Sequence, residues 1–354
     1  MTVAARLVAT APAPLDPVSA DAPQLLHWPG RRLLVQRGDS ELAVRDLDED
    51  RAGAGVRFPA PWPRRFGSVT VSPAGDVAVF AGVHALRAVE ASGVTLWELR
   101  HGCWSAAVCT EVHASYSEYA DDHHHRHADG GSAAFSSDGA LLWAHIRSLA
   151  GDGVAEEWLI LDPVEGGVLA RAETMTVASG SLHVPHPDPA FMGLSVLAGE
   201  EDSSALWGHW DGAKLSFRRF DEEVLFAVSP SGEHVLTTDT GQWSLYLHQA
   251  EGGGELWRLK ADEAVPAPSG EQGDRVCWDY EAAFPYDGTA VVGTGYHEDA
   301  PRHWLVDPRT MAVRGPIAYP FPVSGPPRSA GEGGWYTVDS DRTSIRLWCL
   351  KDEA

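Results

Sequence analysis

Asparagine is absent from all 354 residues, and lysine occurs only at Lys214, Lys260 and Lys351. No N-glycosylation acceptor can exist, and a mechanism needing an Asn ligand or a Lys-lined pocket is excluded. Basic side chains are scarce, with 27 Lys and Arg against 50 Asp and Glu, a formal charge of -23. Phosphate-backbone binding needs clustered cations, so nucleic acid and an anionic membrane surface are disfavoured. A charged partner would be cationic. The four cysteines include no CxxC pair, and only Cys103 and Cys109 are near neighbours. Buried free thiols are the simplest reading. No apolar run approaches a membrane span, and the start "MTVAARLVATAPAPLDPVSADA" lacks the long apolar stretch of a signal peptide. The expectation is a cytoplasmic protein. Enzyme signatures are missing too: there is no GxSxG, Walker loop, GxGxxG after a strand, HExxH or EF-hand loop.

What is present is a repeat. "VTVSPAGDVAVFAG" from Val69, "AAFSSDGALLWAHI" from Ala133, "FAVSPSGEHVLTTD" from Phe226 and "AAFPYDGTAVVGTG" from Ala282 share one pattern. Each has an apolar run, a Ser or Pro, a pair ending in Gly, and a second apolar run. The Gly supplies the positive φ that closes a hairpin, and the flanks read as strands buried on both faces. Spacing between the turns fits a period of about 40–45 residues, with insertions. A weaker unit built on "HPDP" at His186–Pro189 fills the gap before Phe226, and one unit at each end makes seven. Four strands per unit are expected. In the second they are Ser68–Ser72, Val77–Gly82, Ala85–Ala91 and Thr95–Arg100. In the fifth they are Val224–Ser229, His234–Asp239, Trp243–Ala250 and Glu255–Ala261. Trp97, Trp158, Trp207, Trp257, Trp304 and Trp348 recur on third or fourth strands, which suits sheets stacked face to face.

The "SPxG" hairpins followed by "LW" strands, above all "FSSDGALLWAHI" and "TSIRLWCL", resemble the WD40-type β-propeller, although the Gly-His and Trp-Asp dipeptides are mostly missing. The resemblance implies an all-β fold, a single seven-bladed propeller over 1–354 with four antiparallel strands per blade. The blades are approximately 12–60, 61–101, 102–173, 174–221, 222–262, 263–319, and 320–351 plus 3–10. In the last, Val3–Thr10 would lie beside Ser344–Leu350 as the outer strand and remove an edge. The alternative is a disordered N-terminal tail. Propeller hydrolases of the lactonase kind use Asn among their calcium ligands, so the lack of Asn counts against that class.

In such a fold the loops from second to third strands share a face that usually receives partners. Nearly all carry acids here, giving a candidate partner-binding set of Asp39, Glu41, Glu200, Glu201, Asp202, Asp239, Glu298, Asp299, Asp339 and Asp341. Turn chemistry accounts for part of that acidity. The remainder would attract a protein with a basic surface. Asp279 and Glu281 are expected on an inner strand. The long connection from the second blade to the third contains "YADDHHHRHADGG" from Tyr119. If it is extended, His123, His125 and His127 project one way, and Asp121, Asp122 or Asp129 completes a site for a divalent transition metal such as zinc or nickel. A pH-sensitive contact surface and a solvated loop are the competing readings. The sequence therefore supports a non-enzymatic interaction scaffold, with a metal-binding protein or metal-dependent enzyme using the 121–129 loop as the alternative, and a purely structural subunit as a third reading.

Overall fold

The computed structural model describes residues 2–48, 55–105, 109–126, 130–148, 155–198, 203–266, 276–295, 302–331 and 333–351. In chain order its strands are β1 (Val3–Pro12), β2 (Gln24–Trp28), β3 (Arg31–Arg37), β4 (Glu41–Asp46), β5 (Val56–Pro59), β6 (Gly67–Val71), β7 (Val77–Gly82), β8 (Ala85–Glu90), β9 (Thr95–Arg100), β10 (Ala133–Phe135), β11 (Leu142–Arg147), β12 (Glu156–Leu161), β13 (Val168–Glu173) and β14 (Gly180–Pro185). They continue as β15 (Phe191–Leu197), β16 (Ser204–Trp210), β17 (Leu215–Asp221), β18 (Glu223–Val228), β19 (His234–Asp239), β20 (Ser244–Gln249), β21 (Glu255–Lys260), β22 (Ala282–Tyr286), β23 (Thr289–Thr294), β24 (Arg302–Asp307), β25 (Ala312–Ala318), β26 (Arg328–Ser329), β27 (Gly334–Val338) and β28 (Ser344–Leu350). Among the described residues the only α-helix is the single turn Ala261–Ala264.

Two compact units are distinguished. One comprises Pro14–Gln24 and Leu33–Asp221. In it β3, β4 and β5 pair antiparallel, and β6–β9, β10–β13 and β14–β17 are each a four-stranded antiparallel meander. The other comprises Met1–Ala13, Leu25–Arg32 and Glu222–Ala354. There β18–β21 and β22–β25 are two more meanders, and β26, β27 and β28 are completed by β1. β1 runs antiparallel to β28 from Ala5↔Leu350 to Pro12↔Ser344. A short parallel pairing with β25, Val3↔Ile317 and Ala4↔Ala318, joins the last two sets into one eight-stranded sheet. The N-terminal segment is thus a strand beside Ser344–Leu350, as expected, and not a tail.

The hairpin chemistry is visible atom by atom. Gly75, Gly139 and Gly232 have φ of 74°, 73° and 79°. Their N–H groups donate to the carbonyls of Ser72, Ser136 and Ser229 at 2.8, 2.9 and 2.8 Å. Each of these Ser hydroxyls also accepts a backbone N–H from the far side of its turn, that of Val77, Leu141 and His234 respectively. The fourth repeat departs from this. Pro285 stands in the Ser position with no hydroxyl to offer, and Gly288 lies outside the left-handed region.

Second strands are buried on both faces, as in β7 and β11, whereas the fourth strand β13 alternates between half-buried and exposed. This is the gradient expected from the inside of a sheet stack to its rim. The tryptophans tie neighbouring strands together. Trp304 Nε1 on β24 donates to Thr294 Oγ1 on β23 at 2.9 Å, and Trp348 Nε1 on β28 to Thr337 Oγ1 on β27 at 3.0 Å. Trp158 Nε1 donates to His183 Nε2 at 3.0 Å. In these three the buried indole hides its ring without orphaning its N–H, whereas among the described residues Trp62, Trp104, Trp143 and Trp207 bury an Nε1 that has no hydrogen-bond partner. Asp279 and Glu281 lie just before β22 rather than on an inner strand; strand pairing starts only at Ala282.

Candidate functional site

The His-rich segment lies in the connection between β9 and β10. It is not extended. Tyr116–Glu118 and His123–His125 are single 3-10 turns, the second capped by Asp122, whose side chain accepts the His124 N–H at 3.0 Å. A three-residue turn rotates alternate side chains apart. The His123 side chain is 77% exposed with its ring against His124, while that of His125 is 3% exposed. Asp121 is exposed. His127 and Asp129 lie outside the described residues. Among the described residues of the expected ligand set, only His125 points inward.

His125 meets three residues outside the expected ligand set, Cys103, Cys109 and His113. Its Nε2 is 3.3 Å from Cys103 Sγ. Cys109 Sγ is likewise 3.3 Å from His113 Nε2. All four donor atoms lie within 4.8 Å of one another. Cys103, His113 and His125 are buried and Cys109 is half-buried. Behind the rings, His125 Nδ1 is 2.9 Å from Asp122 Oδ2 and His113 Nδ1 is 3.4 Å from Glu118 Oε2. Burial pushes the Cys103 thiol up to about 12, opposed by the Ser105 N–H and reinforced by Cys109. The available sequence signal was the Cys103/Cys109 pair on the same long loop as the histidines; nothing in the spacing singled out His113.

The described members of the acidic set are engaged with nearby strands and loops. Asp39 accepts the Arg64 N–H at 3.3 Å and lies 3.4 Å from Arg64 Nε. Glu41 pairs with Arg57 at 2.6 Å. Asp239 accepts the N–H groups of Trp243 and Ser244, both at 2.8 Å. Asp339 pairs with Arg346 Nε at 3.0 Å, and Asp341 accepts the Thr343 N–H at 3.0 Å and its hydroxyl at 2.8 Å. Those last bonds hold the Asp341 carboxyl below its ordinary value. Glu200, Glu201, Asp202, Glu298 and Asp299 lie outside the described residues. Asp339 and Asp341 share a pocket of about 220 Å³ with Pro322, Val323, Ser324, Ser340 and Arg346.

Two further carboxylates are withdrawn from solvent, Glu156 completely and Asp279 in part. Glu156 is fully buried between Arg147 Nη2 at 3.7 Å, Thr176 Oγ1 at 2.7 Å and the Ala178 N–H at 2.7 Å. Among the described residues Asp279 Oδ2 has no hydrogen-bond partner. Burial first, and the Glu281 charge second, raise its carboxyl to about 6.

No protein-family model and no curated protein matches the chain. Solved structures do match its fold. The WD40 repeats of RRP9 match at 10% identity and a TM-score of 0.54, over 97% of this chain and 100% of that one. U3-55K matches at 11% and 0.53, over 96% and 100%. BBS1N, solved in complex with ARL6DN, matches at 10% and 0.54, over 100% and 99%. A structure of prolyl endopeptidases also matches, at 11% and 0.55, over 95% of this chain and 50% of that one. Likeness at such identity speaks for architecture alone. That architecture is the WD40-like β-propeller that the hairpin repeat implied.

Proposed function

We propose that the chain is a non-enzymatic interaction scaffold that holds a protein partner with a basic surface at its acidic loop ends. The observation that supports this reading is the pocket at the β27–β28 turn. Two carboxylates from one loop, Asp339 and Asp341, line a space of about 220 Å³ walled by Pro322 and Val323, which suits one long basic side chain. Asp339 is already paired with Arg346, and Asp341 is exposed and ionised, so Asp341 is the group left to meet a cation. The overall charge of -23 adds a long-range attraction for such a partner. Rigid sheets presenting short loops are suited to recognition.

The test is affinity purification from the native cell with the full chain and an Asp339→Asn/Asp341→Asn variant in parallel. The partner recovered with the unaltered chain should elute as salt rises, because the screening length falls from about 10 Å at 0.1 M to about 3 Å at 1 M. The variant should recover about three- to tenfold less, the effect of removing one or two rim charges. Equal recovery by the variant, or retention that ignores salt, would remove the acidic loop from the account.

A further inference from the structure

We propose that Cys103, Cys109, His113 and His125 form a tetrahedral zinc site that pins the connection between β9 and β10 onto the sheet beneath it. The four donors are the Cys2His2 set that zinc prefers. In a tetrahedron with Zn–S of about 2.3 Å and Zn–N of about 2.0–2.1 Å, neighbouring donors are about 3.3–3.8 Å apart. Both Sγ–Nε2 pairs lie at 3.3 Å, and no pair of the four exceeds 4.8 Å.

The surroundings are built for a metal as well as the donors. Each imidazole turns Nε2 to the centre and Nδ1 to a carboxylate, Asp122 behind His125 and Glu118 behind His113. That carboxylate–imidazole relay fixes tautomer and ring orientation in metal sites. The carboxylates are themselves held, Asp122 by the His124 N–H and Glu118 by the Ala114 N–H, 3.2 Å from both of its oxygens. The Ser105 N–H points at Cys103 Sγ from 3.3 Å, a donor for a thiolate. Without a metal the two buried Nε2 atoms face thiols as their partners among the described residues, and thiols are poor hydrogen-bond partners. With zinc, each thiol releases its proton to solvent, two in all, and the two thiolates cancel the ion's charge in a pocket that could not hold a bare dication.

Other uses of these atoms fit less well. Cys103, His125 and Asp122 have the order of a nucleophile, base and orienting acid. Yet Cys103 and His125 are each 3% exposed, so a substrate has no approach, and Cys109, His113 and Glu118 duplicate the arrangement within the same pocket. A second cluster, Asp122, His123 and His124, has its two histidines in solvent, and Asp122 already serves His125.

The site anchors a long loop. Tyr119 stacks on His125 with centroids 5.0 Å apart, packs edge-on to Phe66, and places its hydroxyl 2.8 Å from His84 Nδ1 in the β7–β8 turn. Zinc at the far side of His125 would lock that stack in place and hold His123 and His124 out as a fixed surface.

The test takes the full chain without a polyhistidine tag, isolated under reducing conditions, and measures metal by mass spectrometry of the elements. Close to one zinc per chain is expected, retained in His123→Ser/His124→Ser and lost in Cys103→Ser and His113→Gln. Two measurements stand even where ligand variants misfold. Cobalt exchanged into the unaltered chain should give the intense visible bands of a tetrahedral thiolate–imidazole site. Asp122→Asn should weaken zinc binding by about tenfold or more against a competing chromophoric chelator, the usual scale for a partner behind a ligand. A folded, reduced chain that takes up neither zinc nor cobalt would overturn the proposal. So would full metal content in His113→Gln.

Discussion

Asp279→Asn isolates the cost of a charge in the core. The Asp279 carboxyl is pressed against Gly293 so closely that a Cβ there would lie 1.9 Å from Oδ2. Its own N–H donates to the Gly293 carbonyl at 2.8 Å, which fixes the residue in place. Arg328 pairs with both oxygens of Glu281, and among the described residues no cation pairs with Asp279. Burial, then Glu281, raise the carboxyl from 3.8 to about 6. A raised carboxyl binds its proton more tightly in the folded chain than in the unfolded one. Stability is therefore greatest below 3.8, declines as pH rises from 3.8 through about 6, and is level above that. At about 1.36 kcal/mol per unit, a shift of roughly two units amounts to about 3 kcal/mol at neutral pH. Asn keeps the shape and cannot ionise. Urea unfolding followed by tryptophan fluorescence should show the variant more stable by about 2–4 kcal/mol near pH 7.5, with the gap closing near pH 4. A gap that does not change with pH, or a variant weaker than the parent at neutral pH, would refute the reasoning.

Glu156 predicts the opposite slope. Burial alone would raise its carboxyl, but the His145 ring, the Ala178 N–H and the Thr176 hydroxyl outweigh that and hold it below 4.5. Its contribution is complete above about 4.5 and is lost as pH falls below it. Glu156→Ala should cost about 3–5 kcal/mol in urea unfolding at neutral pH, since Arg147 would keep a buried charge without its carboxylate; a loss under about 1 kcal/mol would show that the pair contributes little. Deleting residues 2–12 should strip the outer edge of β28 and produce self-association by light scattering together with a lower thermal midpoint. A monodisperse truncated chain with an unchanged midpoint would show that β1 is dispensable.

Much of the strand pattern was legible because it rests on local physics. The second-unit strands were expected to begin at Ser68, Val77, Ala85 and Thr95, and β6–β9 begin at Gly67, Val77, Ala85 and Thr95. Gly at the closing position and apolar runs on either side need no distant partner to be read. Even the pairing of β1 with β28 was inferable, since an apolar segment with nothing local to pair with must find an edge elsewhere. The strand expected around Asp279 does not form: apolar alternation in "CWDYEAAF" looks like a strand, but the β22–β23 ladder begins at Ala282, and upstream of it the Asp279 N–H makes a single bond to the Gly293 carbonyl.

The loop chemistry was a different matter. Residue types alone suggested metal among the histidines, and an extended chain was assumed to align them. Asp122 caps a tight turn instead, which turns His123 out and His125 in. Cys103, Cys109, His113 and His125 follow no helical or strand period, so no spacing rule could gather them. By itself the sequence determined the alternation, the turns and the excess of acid, because those depend on neighbours along the chain. Only the tertiary structure decided which four side chains converge between β9 and β10, because that depends on how an irregular loop packs around Tyr119 and the β7–β8 turn.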